Sequence, residues 1–273
     1  MKNFIKTKVK RSKMKTNIFV VLFRIVSVAI ILVCLYILYD WHLDNKANND
    51  IQEEMTKFIV TSESPEIDID DPYVSIVDEE DTPISQFDID FDALVTENPD
   101  CVGWIRINDT NISYPIVQAN DNDYYLTHNV NKQKNGAGSI FADYRNDFIH
   151  LDQNTIIYGH NRRNGSMFSN LKFYLDTDFC ADENHQYFNF YTTHKKYLAE
   201  IFSIYKITST KVSIEPNYEN SELFKEALET WKSKSIYDFN KEVSETDNVI
   251  TLYTCDNNTS YRIIIHAKLI PIQ

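Results

Sequence analysis

The chain has 273 residues, enough for one domain or two small ones. Hydrophobic residues at 43% and charged residues at 25% exclude an intrinsically disordered chain, and five glycines with seven prolines exclude a collagen-like or low-complexity repeat. The net charge of −13 is uneven: residues 1–39 carry eight basic side chains and no acidic one, which leaves 19 basic against 40 acidic residues in 40–273. A region this acidic is a poor match for nucleic acid, whose phosphates call for Lys and Arg clusters. Four cysteines in a chain this long exclude a disulfide-stapled scaffold, and the lack of a Cys-x-x-Cys pair argues against a cysteine zinc site.

Residues 1–17 form a basic N-terminus, expected to stay cytoplasmic. Residues 18–39, IFVVLFRIVSVAIILVCLYILY, hold a single charge, Arg24. A helix of that length spans a hydrocarbon core of roughly 30 Å, and Arg24 lies near its cytoplasmic end, where it can snorkel. The basic run before the span predicts that the N-terminus stays inside and the rest is exported. Tyr36, Tyr39 and Trp41 fit an interfacial aromatic belt. A cleaved signal peptide fits less well, because the run is long and no small-residue cleavage site follows it. Cys34, within the span, reads as an apolar filler.

Residues 40–83 read as an acidic extracellular stalk, with a short helix expected within 44–60. Between Lys57 and Arg106 there are fourteen acidic residues and no basic one, the pattern of a self-repelling spacer. From residue 84 the chain becomes globular. FDIDFDALVTENPD predicts a helix that stops at Asn98-Pro99. Eight β-like runs follow: 102–107, 111–118, 138–143, 154–160, 186–192, 196–208, 248–254 and 261–272. They are rich in Ile, Val, Tyr and Phe and bounded by Asn, Asp and Gly. The expected fold is mainly β, a closed eight-stranded barrel with helical insertions. The clearest insertion is SELFKEALETWK (221–232). It places Leu223, Phe224, Ala227, Leu228 and Trp231 on one face, with Asn220 or Ser221 as cap.

Three positions stand out chemically. In TLYTCDNNTSYRIII (251–265) a strand ends at Cys255 and another opens at Arg262, so a hairpin would bring the two together at one rim. A guanidinium there can stabilise an oxyanion. In NTIIYGHN (154–161) an apolar strand ends at His160, placed for acid–base work. His266 is the rival, because it shares a strand face with Arg262, although a mid-strand His more often packs in the core. Cys101 and Cys180 read as buried thiols.

These motifs resemble those of the class B sortases of Gram-positive bacteria. TLYTC (251–255) matches the TLxTC signature, alongside IIYGHN (156–161) and Arg262 opening the final strand. VGWIRI, NISYPIVQ, DNDYYL, GSIFADYRN and GSMFSNL follow in the family's order, from about Val102 to the C-terminus. The helix at 221–232 sits before the last two strands, where class B members carry a long helix. The resemblance implies a sortase-type barrel and a cysteine transpeptidase over residues 84–273. Cys255 would be the nucleophile, His160 the general acid/base and Arg262 the oxyanion or substrate-orienting group. Asn122, Tyr158, Ile214, Tyr253 and Thr254 would bind substrate. No metal or cofactor is implied.

The implied partners are the C-terminal sorting-signal peptide of secreted proteins and a peptidoglycan precursor amine of the lipid II type, met at the cytoplasmic membrane. The expected reaction cleaves after Thr through a thioester and anchors the protein to the cell wall. Two departures bear on the groove: Tyr253 stands where the family often has Ser, and Ser213 where it often has Tyr. The alternatives are a pilin-polymerising sortase, a hydrolytic cysteine peptidase, and a non-enzymatic anchored binding module.

Overall fold

The computed structural model describes residues 18–60, 87–208, 214–255 and 261–272, with residue 255 described by its backbone alone. The basic N-terminus, the acidic stretch from residue 61, Ser213 and the connection 256–260 lie outside the described residues.

The chain divides into two compact units, Met1–Leu43 and Asp44–Gln273. Helix α1 (Ile18–Met55) begins in the first and ends in the second. In the first unit the helix is apolar on all sides, and its large side chains, such as Phe19 and Ile25, are exposed. It is long and apolar enough to cross a membrane by length and composition, which is compatible with the span expected at 18–39.

The second unit starts earlier than the sequence suggests. Residues 44–60 were expected to belong to the stalk, yet they remain folded. Met55 and Phe58 are buried and Ile51 packs beside them, against Leu94, Trp104, Val117 and Tyr191. Their helical spacing gives this stretch one apolar stripe, which the polar composition of 40–60 masks. The two-residue strands β1 (Ile59–Val60) and β2 (Asp88–Ile89) pair antiparallel and bring the chain back. Helix α2 (Phe91–Glu97) is capped by the Asp90 side chain, which accepts from Ala93 N at 2.9 Å, and it ends at Asn98, before Pro99.

Eight strands close into a barrel: β3 (Cys101–Arg106), β4 (Ser113–Val117), β5 (Ile140–Ala142), β6 (Asn154–His160), β7 (Tyr187–Thr192), β8 (Lys196–Thr208), β9 (Val249–Cys255) and β10 (Tyr261–Ile272). Their order around the barrel is β10-β8-β7-β3-β4-β5-β6-β9. β4 runs parallel to β5, and β6 parallel to β9; the other neighbours are antiparallel. Short helix α3 (Thr177–Ala181) precedes β7, and α4 (Ser221–Lys234) lies between β8 and β9.

The strands are apolar on both faces for a physical reason. Ile157, Ile250, Leu252, Ile263 and Ile265 belong to one core cluster, while their neighbours Ile156, Val249 and Ile264 belong to another, covered by α4 through Phe224, Leu228 and Trp231. Coverage on both sides removes the polar alternation of a half-exposed sheet. The α4 face matches the sequence reading in Phe224, Leu228 and Trp231, whereas Leu223 is exposed. Asn220 supplies the cap, accepting from Leu223 N at 3.0 Å.

Candidate active site

β6, β9 and β10 lie side by side, and one row crosses all three. His160 pairs with Cys255 in the parallel ladder, and Cys255 pairs with Arg262 in the antiparallel one. All three residues stand at strand ends. The row continues two residues inward as Tyr158, Tyr253 and Ile264. Because side chains alternate, rows two apart share a face. This is the outer face, whose lower part α4 covers.

His160 is held by its ring. Nε2 donates to the carbonyl oxygen of Leu126 at 2.9 Å. A carbonyl only accepts, so Nε2 carries the hydrogen and Nδ1 is the nitrogen left to exchange a proton. Leu126 closes the short 3-10 turn Tyr124–Leu126, and its carbonyl abuts Gly138. A Cβ at Gly138 would stand 2.8 Å from that oxygen and 2.6 Å from the Tyr125 oxygen, and Gly138 has φ +62°. Both features call for glycine. Arg262 donates from Nη1 to the Tyr261 carbonyl at 3.0 Å, and its buried Nε has no partner among the described residues.

Beside Arg262 and the inner pair Tyr158 and Tyr253 lies an open cavity of about 400 Å³, lined also by Asn122, Leu126, Phe141, Arg145, Gly159, Ile214 and Glu215; His160 is not in the lining, but its partner Leu126 is. Tyr158 and Tyr253 meet edge to face, with ring centroids 5.3 Å apart. Four of the five expected substrate contacts, Asn122, Tyr158, Ile214 and Tyr253, are therefore on one wall system. Thr254 is not among them: it is fully buried on the opposite face of β9.

Sequence reasoning missed the polar framework of this cavity. Asp143, fully buried just after β5, accepts from Asn122 Nδ2 at 3.0 Å, from the Tyr158 hydroxyl at 2.9 Å and from Arg145 Nε at 2.8 Å. Arg145 reaches on to Glu215 at 2.7 Å. Burial pushes the Asp143 carboxyl up, but hydrogen bonds from Arg145, Tyr158 and Asn122 outweigh it and hold it below its ordinary value. Burial, with the Asp143 charge second, pushes the Tyr158 phenol up, so it stays a donor. The only signal in the sequence was an Asp directly after an apolar strand, with an Arg two residues on.

His266, the rival histidine, is fully buried and stacked on Trp231, with centroids 4.0 Å apart. The Thr251 hydroxyl donates to Asn154 Oδ1 at 2.7 Å, so it accepts from His266 Nδ1 at 2.8 Å. Nε2 then accepts from the Tyr205 hydroxyl at 2.9 Å. Burial first, and Lys234 second, hold its pKa well below the ordinary value. His266 is a neutral core residue, as mid-strand histidines usually are. Cys101 and Cys180 are also buried, and neither is in a disulfide.

Residues 105–270 match the sortase domain family. The chain belongs to the sortase family. Its curated relatives include the sortase B of Listeria monocytogenes, 46% identical over 176 residues, which cover 63% of this chain and 71% of the relative. Among solved structures, the Staphylococcus aureus sortase B–substrate complex aligns with a TM-score of 0.64 at 34% identity, covering 67% of this chain and 85% of that one. A Bacillus anthracis sortase B in complex with AAEK1 aligns at 0.63 and 41% identity, covering 67% and 84%. These likenesses place this sortase in class B, whose members are cell-wall transpeptidases, and its eight-stranded barrel matches theirs.

Proposed function

We propose that this sortase is a membrane-anchored cysteine transpeptidase that cuts a sorting signal after Thr and joins the new C-terminus to a peptidoglycan amine. The observation that carries the reading is the row His160, Cys255, Arg262, in register across three strands, with the cavity beginning at Arg262.

In the first half-reaction the Cys255 thiolate attacks the Thr carbonyl carbon. Arg262 donates hydrogen bonds to the oxyanion that forms. The carbon–nitrogen bond then breaks, and the leaving amine takes a proton from His160, leaving a thioester on Cys255. In the second half an incoming amine attacks the thioester carbon, His160 takes its proton, and the carbon–sulfur bond breaks to restore the thiolate. The Leu126 carbonyl holds the imidazole in one orientation through both halves, leaving Nδ1 for the proton. It does the orienting that a carboxylate does in a Ser-His-Asp triad. The sorting-signal peptide occupies the cavity beside Tyr158, Tyr253, Asn122 and Ile214. Thr254 supports the site from within the barrel.

The apolar part of α1 is read as the single-pass anchor, with the basic N-terminus cytoplasmic and the barrel outside. Substrate and lipid-linked acceptor both arrive at the outer membrane surface, so tethering raises the effective concentration of enzyme near both.

The test is incubation with a panel of quenched sorting-signal peptides, with and without oligoglycine or a diaminopimelate-type amine, followed by mass spectrometry. A Cys255 thioester resolved faster by amine than by water is the expected result. Cleavage that no amine accelerates makes the protein a peptidase. No adduct on Cys255 with any peptide, and an inert thiol, overturn the reading.

A further inference from the structure

Asp143 touches none of the reacting positions, yet it binds three of the polar residues that line the cavity. Its side chain is fully buried. Oδ2 accepts from Asn122 Nδ2, the Tyr158 hydroxyl and Arg145 Nη2, at 3.0, 2.9 and 2.9 Å. Oδ1 accepts from Arg145 Nε at 2.8 Å and from the Arg145 backbone N–H at 3.0 Å. The three donor side chains come from three separate segments: the loop before Tyr124, strand β6, and the turn after β5. All three line the cavity.

The donors are also fixed at their other ends. Asn122 Oδ1 accepts from the Tyr144 backbone N–H at 3.0 Å, which sets the amide orientation. Arg145 Nη1 binds Glu215 at 2.7 Å, and Nη2 lies 3.4 Å from the Ile214 carbonyl. The guanidinium is thus shared between two carboxylates, with most of its donors taken. A buried carboxylate is retained at a cost unless its lone pairs are filled, and here they are filled by groove residues.

We propose that Asp143 is a positioning residue for substrate recognition: it locks Asn122, Tyr158 and Arg145 into one surface and, with Glu215, more than offsets the charge of Arg145, so that the groove disfavours an acidic peptide. This rests on the reading that the cavity takes the sorting signal. The thiol chemistry at Cys255 does not pass through Asp143. Replacing the carboxylate with an amide removes one negative charge from the Asp143–Arg145–Glu215 group, which goes from net −1 to neutral, and acidic peptides then gain relative to neutral ones.

The experiment uses the full chain in detergent micelles. The probes are a quenched peptide that acylates Cys255 and a twin with an acidic residue beside the Thr. For Asp143→Asn, KM for the neutral peptide rises about tenfold or more, kcat changes about threefold or less, and the preference for the neutral over the acidic twin falls about tenfold. Tyr158→Phe and Asn122→Ala each raise KM. Because both act through one carboxylate, the double variant falls short of the product of the two effects. That cycle carries the test if Asp143→Asn fails to fold. Iodoacetamide labelling of Cys255 reports the thiol independently. Unchanged KM and unchanged charge preference in Asp143→Asn, or strictly multiplicative effects in the cycle, overturn the inference alone. A wild-type chain that forms no adduct with any peptide overturns the functional reading and this inference with it.

Discussion

The carbonyl oxygen of Leu126 accepts a hydrogen bond from His160 Nε2 at 2.9 Å, and Gly138 is the residue that lets that carbonyl sit there. A Cβ at position 138 would collide with backbone oxygens at 2.6 and 2.8 Å, and backbone cannot step aside as a flexible side chain can. Gly138→Ala is therefore expected to turn the Leu126 carbonyl and release the His160 ring. kcat should fall about tenfold or more, with a stability loss of about 1–3 kcal/mol from the positive φ and the clash. Steady-state kinetics beside a urea melt separates the two. A variant that melts earlier yet keeps kcat would show that Leu126 does not orient the histidine.

Arg262 pairs Cα to Cα with Cys255, next to the cavity. Arg262→Ala should lower kcat by about 10²–10³, the cost of an oxyanion donor. Arg262→Lys should recover only part of that, because an ammonium cannot present the planar fork. If Ala raises KM and leaves kcat alone, Arg262 holds substrate and does not stabilise the oxyanion.

His266 supplies a pH dependence with a definite sign. Folded, it is neutral, with a pKa well below 6.5; unfolded, it titrates at its ordinary value of 6.5. Below that value the unfolded chain binds a proton that the folded chain refuses. The stability from neutral His266 is complete above about pH 6.5 and declines as pH falls, by up to about 1.4 kcal/mol per unit. Trp231 and Lys234 on α4 and Tyr205 on β8 face it, and of these Lys234 is cationic and adds to the refusal. Urea melts between about pH 7.5 and 5.5 should show the decline in the native chain and a shallower slope in His266→Gln, which is less stable at neutral pH. Equal slopes would rule His266 out as the source.

Thiol labelling gives a count. Cys101 is pushed up to about 12 and Cys180 to about 11, in both cases chiefly by burial, and Cys180 also donates to the Tyr174 carbonyl. Neither should react with iodoacetamide at pH 8 while the chain is folded. Cys34 lies within the span read as the anchor, where lipid or detergent keeps the aqueous reagent away, so the native full chain should label, on the proposed mechanism, at Cys255 alone. Cys101 and Cys180 should label only in denaturant. Labelling of either in the native state, followed by peptide mapping, would show that the core opens.

Much of the barrel was legible because its strands are short apolar runs ended by Asn, Asp and Gly. β8 and β10 were read with both ends in place, and α4 was read within two residues. The part that escaped is the part made by tertiary contact. Residues 44–60 look like polar spacer until Met55 and Phe58 find Trp104 and Tyr191. The framework around Asp143 escaped because each member is an ordinary loop or strand-end residue. Asn122, Arg145 and Tyr158 are separated along the chain and meet only in the fold. The row of His160, Cys255 and Arg262 came from the motifs, and the His160–Leu126 bond came only from the structure.

The parallel pairing of β6 with β9 has a kinetic consequence. His160 and Cys255 are 95 positions apart, and no hairpin joins their strands. Contacts at such separation carry the loop-closure entropy of everything between them, and they form late. β6 and β9 stand between β5 and β10 in the closed ring, so positions 160 and 255 come into register only when these two strands pair. On the proposed mechanism, a chain whose β9 has not yet paired with β6 has no assembled Cys255–His160 pair to misacylate. Activity then waits on a long-range pairing and not on any local hairpin, as a lock engages only when a door shuts.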